Sequence, residues 1–389
     1  MPALILEASL VAVVAGAFVL HVATAAMTVR RLRSPREPDG ALLASRPSVS
    51  VIVPIVALGP GEVATALSAF GIGYSRFELL YCAFRADEPG LDALRRRIAS
   101  APDVNARLLI GRERRSANPK LDNMEKGWAA ARSDYLAIVD SNVDVPSDLI
   151  ERLLAVWDES TGLSCSIPIG VRPTGFWAHV ECAFLNTFQA RWQLAADSLG
   201  AGFGHGKAML VRRDFLAARG GLQALHFDVA EDSAATKIVR AANLGVRLVQ
   251  RPFEQPLGRR EATAVWNRHL RWAQLRRRSF PQVFFLEAFG TVGAPLVAGL
   301  LLAACAGWPP LWAALMIAGS WYAVEAGLAV AVGWPWRPIS FAACLVRDGM
   351  ALAMWPVALV RASYSWRGQS VELADSSRLS AATGRRRQF

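Results

Sequence analysis

Two kinds of hydrophobic pattern alternate along the chain: long continuous apolar runs at both ends, and short apolar runs closed by polar turns between them. Residues 3 to 28 form the first long run, broken only by Glu7 and His21, and Arg30, Arg31 and Arg33 follow directly. Roughly 20 apolar residues cross a bilayer as a helix, so this run is long enough. Its basic residues come after a long core rather than before a short one, which predicts a retained anchor instead of a cleaved signal peptide. Positive charge at that flank places the N-terminus outside and the chain from Arg30 onward in the cytoplasm.

The pattern turns apolar again from Gln282, with candidate spans at about 283–306, 310–333 and 338–360. The first two read as spans. The third carries Arg347 and Asp348 at its centre, and each charge costs roughly 2.5 to 3.5 kcal/mol on an insertion scale. A re-entrant or interfacial segment avoids that cost and leaves the basic end "GRRRQF" in the cytoplasm. A third span is the alternative.

Between Arg46 and Gln250 short apolar runs alternate with helical patterns. "VSVIVPIVAL" (49–58), "FELLYCAF" (77–84), "ARLLIG" (106–111) and "YLAIV" (135–139) read as buried strands, and the alternation predicts a mostly parallel sheet covered on both faces. In "SANPKLDNMEKGWAAARS", Asn118 can cap a helix that Pro119 starts, with Leu121, Met124, Trp128 and Ala131 on one face. In "DVAEDSAATKIVRAANLGVRL", Ala235, Ile238, Val239 and Ala242 form a buried stripe that Gly245 is expected to end.

Composition sharpens the picture. The chain has 389 residues, 53% of them hydrophobic, which suits a full domain plus membrane segments. The net charge of +11 is carried by arginine, since only Lys120, Lys126, Lys207 and Lys237 are lysines. The arginines cluster near the apolar runs without any nucleic-acid signature, which points to anionic headgroups and excludes nucleic acid as the partner. The five cysteines lack metal-ligand spacing and read as reduced thiols.

Carboxylates recur where strands end. Asp140 and Asn142 close the fourth strand in "DSNVD", and Asp87 follows the second in "RADEPG". Each alone is also an ordinary turn residue. Together at one sheet edge they could serve a nucleotide base and a divalent ion bridging phosphates. Glu231 and Asp232 read either as first-turn helix residues or as a general base. In "RHLRWAQLRRRSF", Arg268, Arg271 and Arg278 share one helix face and Trp266, Leu270 and Ala273 another, as a headgroup anchor or a diphosphate clamp requires.

The order "AD" (Asp87), "NPKLDN" (118–123), "DSN" (140–142), "ED" (231–232) and "RHLRW" (268–272) resembles the processive-type membrane glycosyltransferases with a D, D, D, (Q/R)xxRW pattern, and more narrowly the ceramide glucosyltransferases of glycosyltransferase family 21. The resemblance runs from about Ser48 to Gln282, with "SWR" (365–367) as a further match. It implies an α/β fold: a GT-A (Rossmann-like) nucleotide-sugar-binding domain with N- and C-terminal transmembrane helices.

The implied activity is transfer of glucose from UDP-glucose to the primary hydroxyl of ceramide, with inversion. By the same resemblance Pro54, Asp87, Lys120, Asn123 and Arg268 belong to the nucleotide-sugar site. Asp140 and Asn142 would bind Mg²⁺ or Mn²⁺. Asp232 would be the base, and Arg271 and Trp272 would close over the diphosphate and acceptor channel. Two departures stand out: Asn142 occupies the place of the second Asp of a DxD motif, and Gln189 that of a histidine in "NTFQARW". A hopanoid acceptor with UDP-N-acetylglucosamine is the alternative, and a non-catalytic or polysaccharide-synthase-like membrane protein the third reading.

The expected organisation is an anchor at 1–29, a cytoplasmic GT-A domain at 45–258, an interfacial amphipathic helix at 259–281, membrane segments at 282–361 and a basic cytoplasmic tail at 362–389. The expected location is a bacterial inner membrane.

Overall fold

The computed structural model describes residues 2–34, 40–111, 118–228, 230–361, 363–366 and 369–372. Arg367 and the "GRRRQF" end lie outside the described residues. The chain divides into two compact units. One, here the sheet unit, comprises residues 35–169, 196–256 and 370–389; the other, the helical unit, comprises 1–34, 170–195 and 257–369.

Among the described residues, nine strands precede the paired strands Ser363–Trp366 and Gln369–Glu372: β1 (Val49–Ile55), β2 (Phe77–Ala83), β3 (Ala106–Ile110), β4 (Tyr135–Val139), β5 (Thr161–Ser166), β6 (Pro168–Thr174), β7 (Ala208–Arg212), β8 (Gly245–Leu248) and β9 (Phe253–Arg259). Seven of them make the sheet unit's sheet in the order β3-β2-β1-β4-β7-β5-β8, while β6 and β9 pair with each other. β3, β2, β1 and β4 run parallel, as the alternation predicts. β7 is antiparallel to both β4 and β5, so one reversed strand makes the sheet mixed. The four strands read from sequence are there. β5, β7 and β8 were not read, because their short runs include Ser, Gly and Arg and give little periodicity.

The strand order reverses beside β1, with β2 on one side and β4 on the other. Open α/β sheets form their ligand crevice at such a switch point, outside the carboxyl ends of the strands. Pairing of β1 with β4 ends at Ile52 and Ile138, whereas pairing of β1 with β2 continues to Ile55. Pro54 lies past the end of the β4 ladder, where its missing N–H costs that ladder nothing.

β4 is buried along its whole length and belongs to a core with Val51, Val53, Leu79, Tyr81, Leu149 and Leu210. Asn118 accepts from the N–H groups of Lys120 and Leu121 at 3.0 and 3.3 Å, capping the Pro119–Ala130 helix. The helix Glu231–Ala241 stops differently from expectation. Asn243, at φ +56°, takes the left-handed position that a glycine often fills, and Gly245 already starts β8.

In the helical unit, Leu4–Arg33, Pro310–Val332 and Ile339–Val360 are the helices long and apolar enough to cross a membrane among the described residues. Two expectations change here. The 283–306 run is divided into Pro281–Glu287, a short turn of helix and the 13-residue helix Gly293–Cys305, which is shorter than a span. The 339–360 segment is instead one continuous helix. Its central charges are not offered to lipid. Arg347 donates to both oxygens of Glu325 on the preceding helix at 2.8 and 2.9 Å, to Thr187 at 3.0 Å and to Asp348 at 2.8 Å. Asp348 also accepts from Tyr322 and from the N–H of Val292. Pairing inside a bundle removes the cost that argued against a span.

In the Ala262–Ser279 helix, Val265, Leu270 and Ala273 pack with Phe184, Phe284, Met354 and Ala358 of the same unit, and Trp266 lies against that cluster.

Candidate active site

The carboxyl ends of β1, β2 and β4 carry the polar residues that the sequence analysis singled out. Asp140 directly follows β4, and its N–H donates to the Lys207 carbonyl at 2.9 Å. That bond continues the antiparallel ladder of β4 with β7, in which Val139 faces Ala208. Lys207, 67 residues away in sequence, is thereby brought beside Asp140. Its ammonium donates to Asp140 Oδ2 at 3.0 Å and to Asn142 Oδ1 at 2.9 Å.

A second lysine ties the strand end to the Glu231–Ala241 helix. Lys120 Nζ lies 2.7 Å from Asp140 and 2.5 Å from Glu231, and donates to the Gly206 carbonyl at 2.8 Å. Asn118 donates to the other Glu231 oxygen at 3.2 Å. Burial alone would raise the Asp140 pKa, but the two ammonium groups outweigh it and hold the carboxyl well below the usual range. Lys120 is buried too, yet Asp140 and Glu231 push its pKa up.

Asp232 stands apart from this pairing. It accepts from the N–H of Gly206 at 2.9 Å and from its neighbour Ser233 at 2.8 Å. Burial, and then the adjacent Glu231 charge, push its pKa up to about 6. Gly206 is required at this point: a Cβ there would stand 2.7 Å from Glu231 Oε1 and 3.4 Å from Asp232 Oδ2. The other two glycines of the "GFGHGK" loop are crowded by different groups, Gly204 by the Asp232 carbonyl and the Thr236 hydroxyl and Gly202 by the Val246 carbonyl and Asp197.

The remaining expected residues fall in different places. Asp87 follows β2 at the same sheet edge; β1 separates β2 from β4, so the two strand ends are roughly 10 Å apart. It is exposed and paired with Arg85, which lowers its pKa. Asn123, expected in the nucleotide site, is fully buried and donates to the carbonyls of Ile55 at 3.0 Å and Cys82 at 2.8 Å. It fastens the ends of β1 and β2 to the Pro119–Ala130 helix, and its amide hydrogens are spent there. Pro54 is buried inside β1 opposite Cys82.

Arg268, Arg271 and Trp272 belong to the helical unit. Arg268 pairs with the buried Glu181, which also accepts from Arg260 at 2.9 Å. Trp272 packs against Ala178, Cys182, Leu185 and Leu257 and meets His269 edge-on at 5.3 Å. His269 is buried, stacked 4.0 Å from Phe184, and neither ring nitrogen has a hydrogen-bond partner. It lines a pocket with Phe184, Phe188, Gln189, Met354 and Trp355.

Sequence reasoning missed Lys207, and it had no signal for it, since a lone lysine in a loop carries no motif. Among the described residues no group of three or more His, Cys, Asp and Glu side chains is arranged to hold a metal. The donor set still suits a divalent ion. One ammonium contacts both Asp140 and Asn142, so the two oxygens already face a common cation position, and Mg²⁺ or Mn²⁺ completes such a shell with phosphate and water oxygens.

The model of glycosyl transferase family 21 matches residues 5–379. The chain belongs to that family. Ceramide glucosyltransferase 1 of Caenorhabditis elegans is 27% identical over 272 residues, 69% of this chain and 58% of that protein. Ceramide glucosyltransferase of Komagataella phaffii is 33% identical over 108 residues, 27% of this chain and 21% of that protein. The family 21 chain therefore spans less than two thirds of the C. elegans relative's length. A solved mannosyltransferase from Pyrobaculum calidifontis, in complex with GDP-Man and Mn²⁺, superposes with a TM-score of 0.56 at 21% identity, covering 91% of this chain and 98% of that one. That likeness shows the GT-A-like glycosyltransferase fold.

Proposed function

We propose that this family 21 protein is an inverting, UDP-sugar-dependent hexosyltransferase of the membrane, and that it moves glucose from UDP-glucose to ceramide. The observation that carries the reading is the carboxylate arrangement at the switch-point crevice: Asp140 paired with two lysines, and Asp232 held with a raised pKa nearby on the loop and helix that Lys120 joins to it. One acid is kept ionised and the other poised to exchange a proton, as general-base catalysis near neutral pH needs.

In this reading Asp140 and Asn142 hold Mg²⁺ or Mn²⁺, which would supply positive charge to the departing diphosphate. Lys120 adds charge on the same side. The acceptor's primary hydroxyl oxygen attacks the anomeric carbon on the face opposite UDP. The bond from that carbon to the diphosphate oxygen breaks, UDP leaves, and the hydroxyl proton passes to Asp232. Inversion follows from a single displacement. Asp87 is assigned to the nucleoside, and Arg271 and Trp272 to the diphosphate and acceptor.

A lipid acceptor is supported by the three membrane-length helices and by the apolar pocket around His269 in the helical unit. The C. elegans and K. phaffii relatives are named for ceramide, which favours it over a hopanoid. We place the sheet unit on the cytoplasmic side of a bacterial inner membrane, from the arginines that follow residue 28.

The test is a transfer assay in detergent with Mg²⁺ or Mn²⁺, radiolabelled UDP-glucose or UDP-N-acetylglucosamine, and ceramide, hopanoid or diacylglycerol. Labelled glucosylceramide is expected. Label only on another lipid would keep the chemistry and replace the acceptor, and no label on any lipid with nucleotide binding intact would overturn the reading.

A further inference from the structure

The Lys207 ammonium stands on the two oxygens that a divalent ion would use. It lies 3.0 Å from Asp140 Oδ2 and 2.9 Å from Asn142 Oδ1, and its side chain is only 10% exposed. Ladder pairing fixes this placement, because Lys207 directly precedes β7 where that strand meets the end of β4. Mg²⁺ on the same oxygens would sit about 2.1 Å from each, so ammonium and ion cannot occupy the position together.

Charge makes the exclusion stronger. Asp140 is the only carboxylate of the "DSN" motif, and Lys120 already lies 2.7 Å from its Oδ1. Lys120 is shared with Glu231, so Asp140 and Glu231 are already balanced by Lys120 and Lys207, and Asn142 adds no charge. Two further positive charges brought to this point meet Coulomb repulsion in a partly desolvated setting, where the field is poorly screened.

We propose that Lys207 is a built-in cation that holds Asp140 and Asn142 when no metal is bound, competes with the divalent ion for them, and yields its place when the ion arrives with a diphosphate. The proposal rests on the assignment of Asp140 and Asn142 as the metal ligands. It makes the site weak for metal alone and ties metal capture to the donor's negative charge. Lys207 is thereby a positioning residue: it keeps two oxygens converged that would otherwise repack or hydrate.

The experiment is a titration of Mn²⁺ alone onto the detergent-solubilised full chain, with free Mn²⁺ read by electron paramagnetic resonance. Lys207→Met is expected to bind Mn²⁺ about tenfold more tightly than the parent, a modest share of the repulsion between close charges. Lys207→Arg keeps the charge and is expected to leave the affinity as weak as in the parent. Asp140→Ala added to Lys207→Met should abolish the gain, which locates the ion. Unchanged or weaker binding by Lys207→Met overturns the proposal, as does a gain that survives loss of Asp140. Should Lys207→Met fail to fold by its thermal unfolding profile, Lys207→Gln, which is polar but uncharged, replaces it with the same expected gain. No sugar or lipid is present, so this result is read separately from any failure of glycosyl transfer.

Discussion

Lys120 lies between Asp140 and Glu231, 2.7 Å from one and 2.5 Å from the other, and so joins the end of β4 to the start of the Glu231–Ala241 helix. Its side chain is 15% exposed; it is the ammonium beside Glu231, and it shares Asp140 with Lys207. Lys120→Met should therefore cost about 3 kcal/mol of stability, the lower end of what removing one partner of a buried pair costs. Thermal unfolding in detergent checks this. A midpoint equal to the parent's would show that Lys207 and Asn118 suffice.

Asp232→Asn should spare UDP-sugar binding and lower turnover by about 10² to 10⁴, the range for a lost general base. Intact transfer would mean that another group takes the proton.

The raised pKa of Asp232 also predicts a pH profile. A base must be deprotonated to act, so turnover should rise as pH climbs through about 6 and level off above it. Its effect on stability has the opposite sense: the folded state holds this proton more tightly than the unfolded chain, so the contribution fades as pH rises from 3.8 to about 6. A rate profile flat across pH 5 to 7 would remove Asp232 from the rate-determining proton transfer.

Arg347→Met leaves Glu325 buried without its cation, and should cost about 3 to 5 kcal/mol, read as loss of monodisperse protein in detergent. Replacing both Arg347 and Glu325 by leucine should recover only part of that loss, because Asp348 also loses its Arg347 partner. A single variant as stable as the parent would show the pair to be dispensable.

Arg271→Lys retains charge and loses the planar fork. A several-fold rise in KM for the UDP-sugar is expected if the guanidinium grips diphosphate oxygens. Unchanged kinetics would assign Arg271 to the bilayer surface alone.

Asn123 and Lys207 show how far sequence reading reaches. Both sit in or near motif stretches, and their chemistry does not reveal their roles. Asn123 looks like a ligand-binding amide, yet its hydrogens go to the Ile55 and Cys82 carbonyls, acceptors 68 and 41 residues away. Lys207 looks like a solvated loop residue, yet an antiparallel ladder sets it against Asp140.

Local pattern was enough for the first four strands, the cap at Asn118, the membrane-length apolar runs near the N-terminus and at 310–333, and the recurrence of acids at strand ends, because each is decided by neighbouring residues. Continuous burial selects a parallel strand, and a carboxylate following it has only the sheet edge to occupy. Tertiary structure alone decided three things. It reversed β7 and so seated Lys207 on the Asp140–Asn142 pair. It raised the Asp232 pKa by burial beside Glu231. It turned the charged 339–360 run into a continuous helix by setting Glu325 opposite Arg347. In the first and third cases the energy lies in a contact between distant parts of the chain, and in the second the neighbouring Glu231 acts only because the distant Gly206 loop helps to bury Asp232.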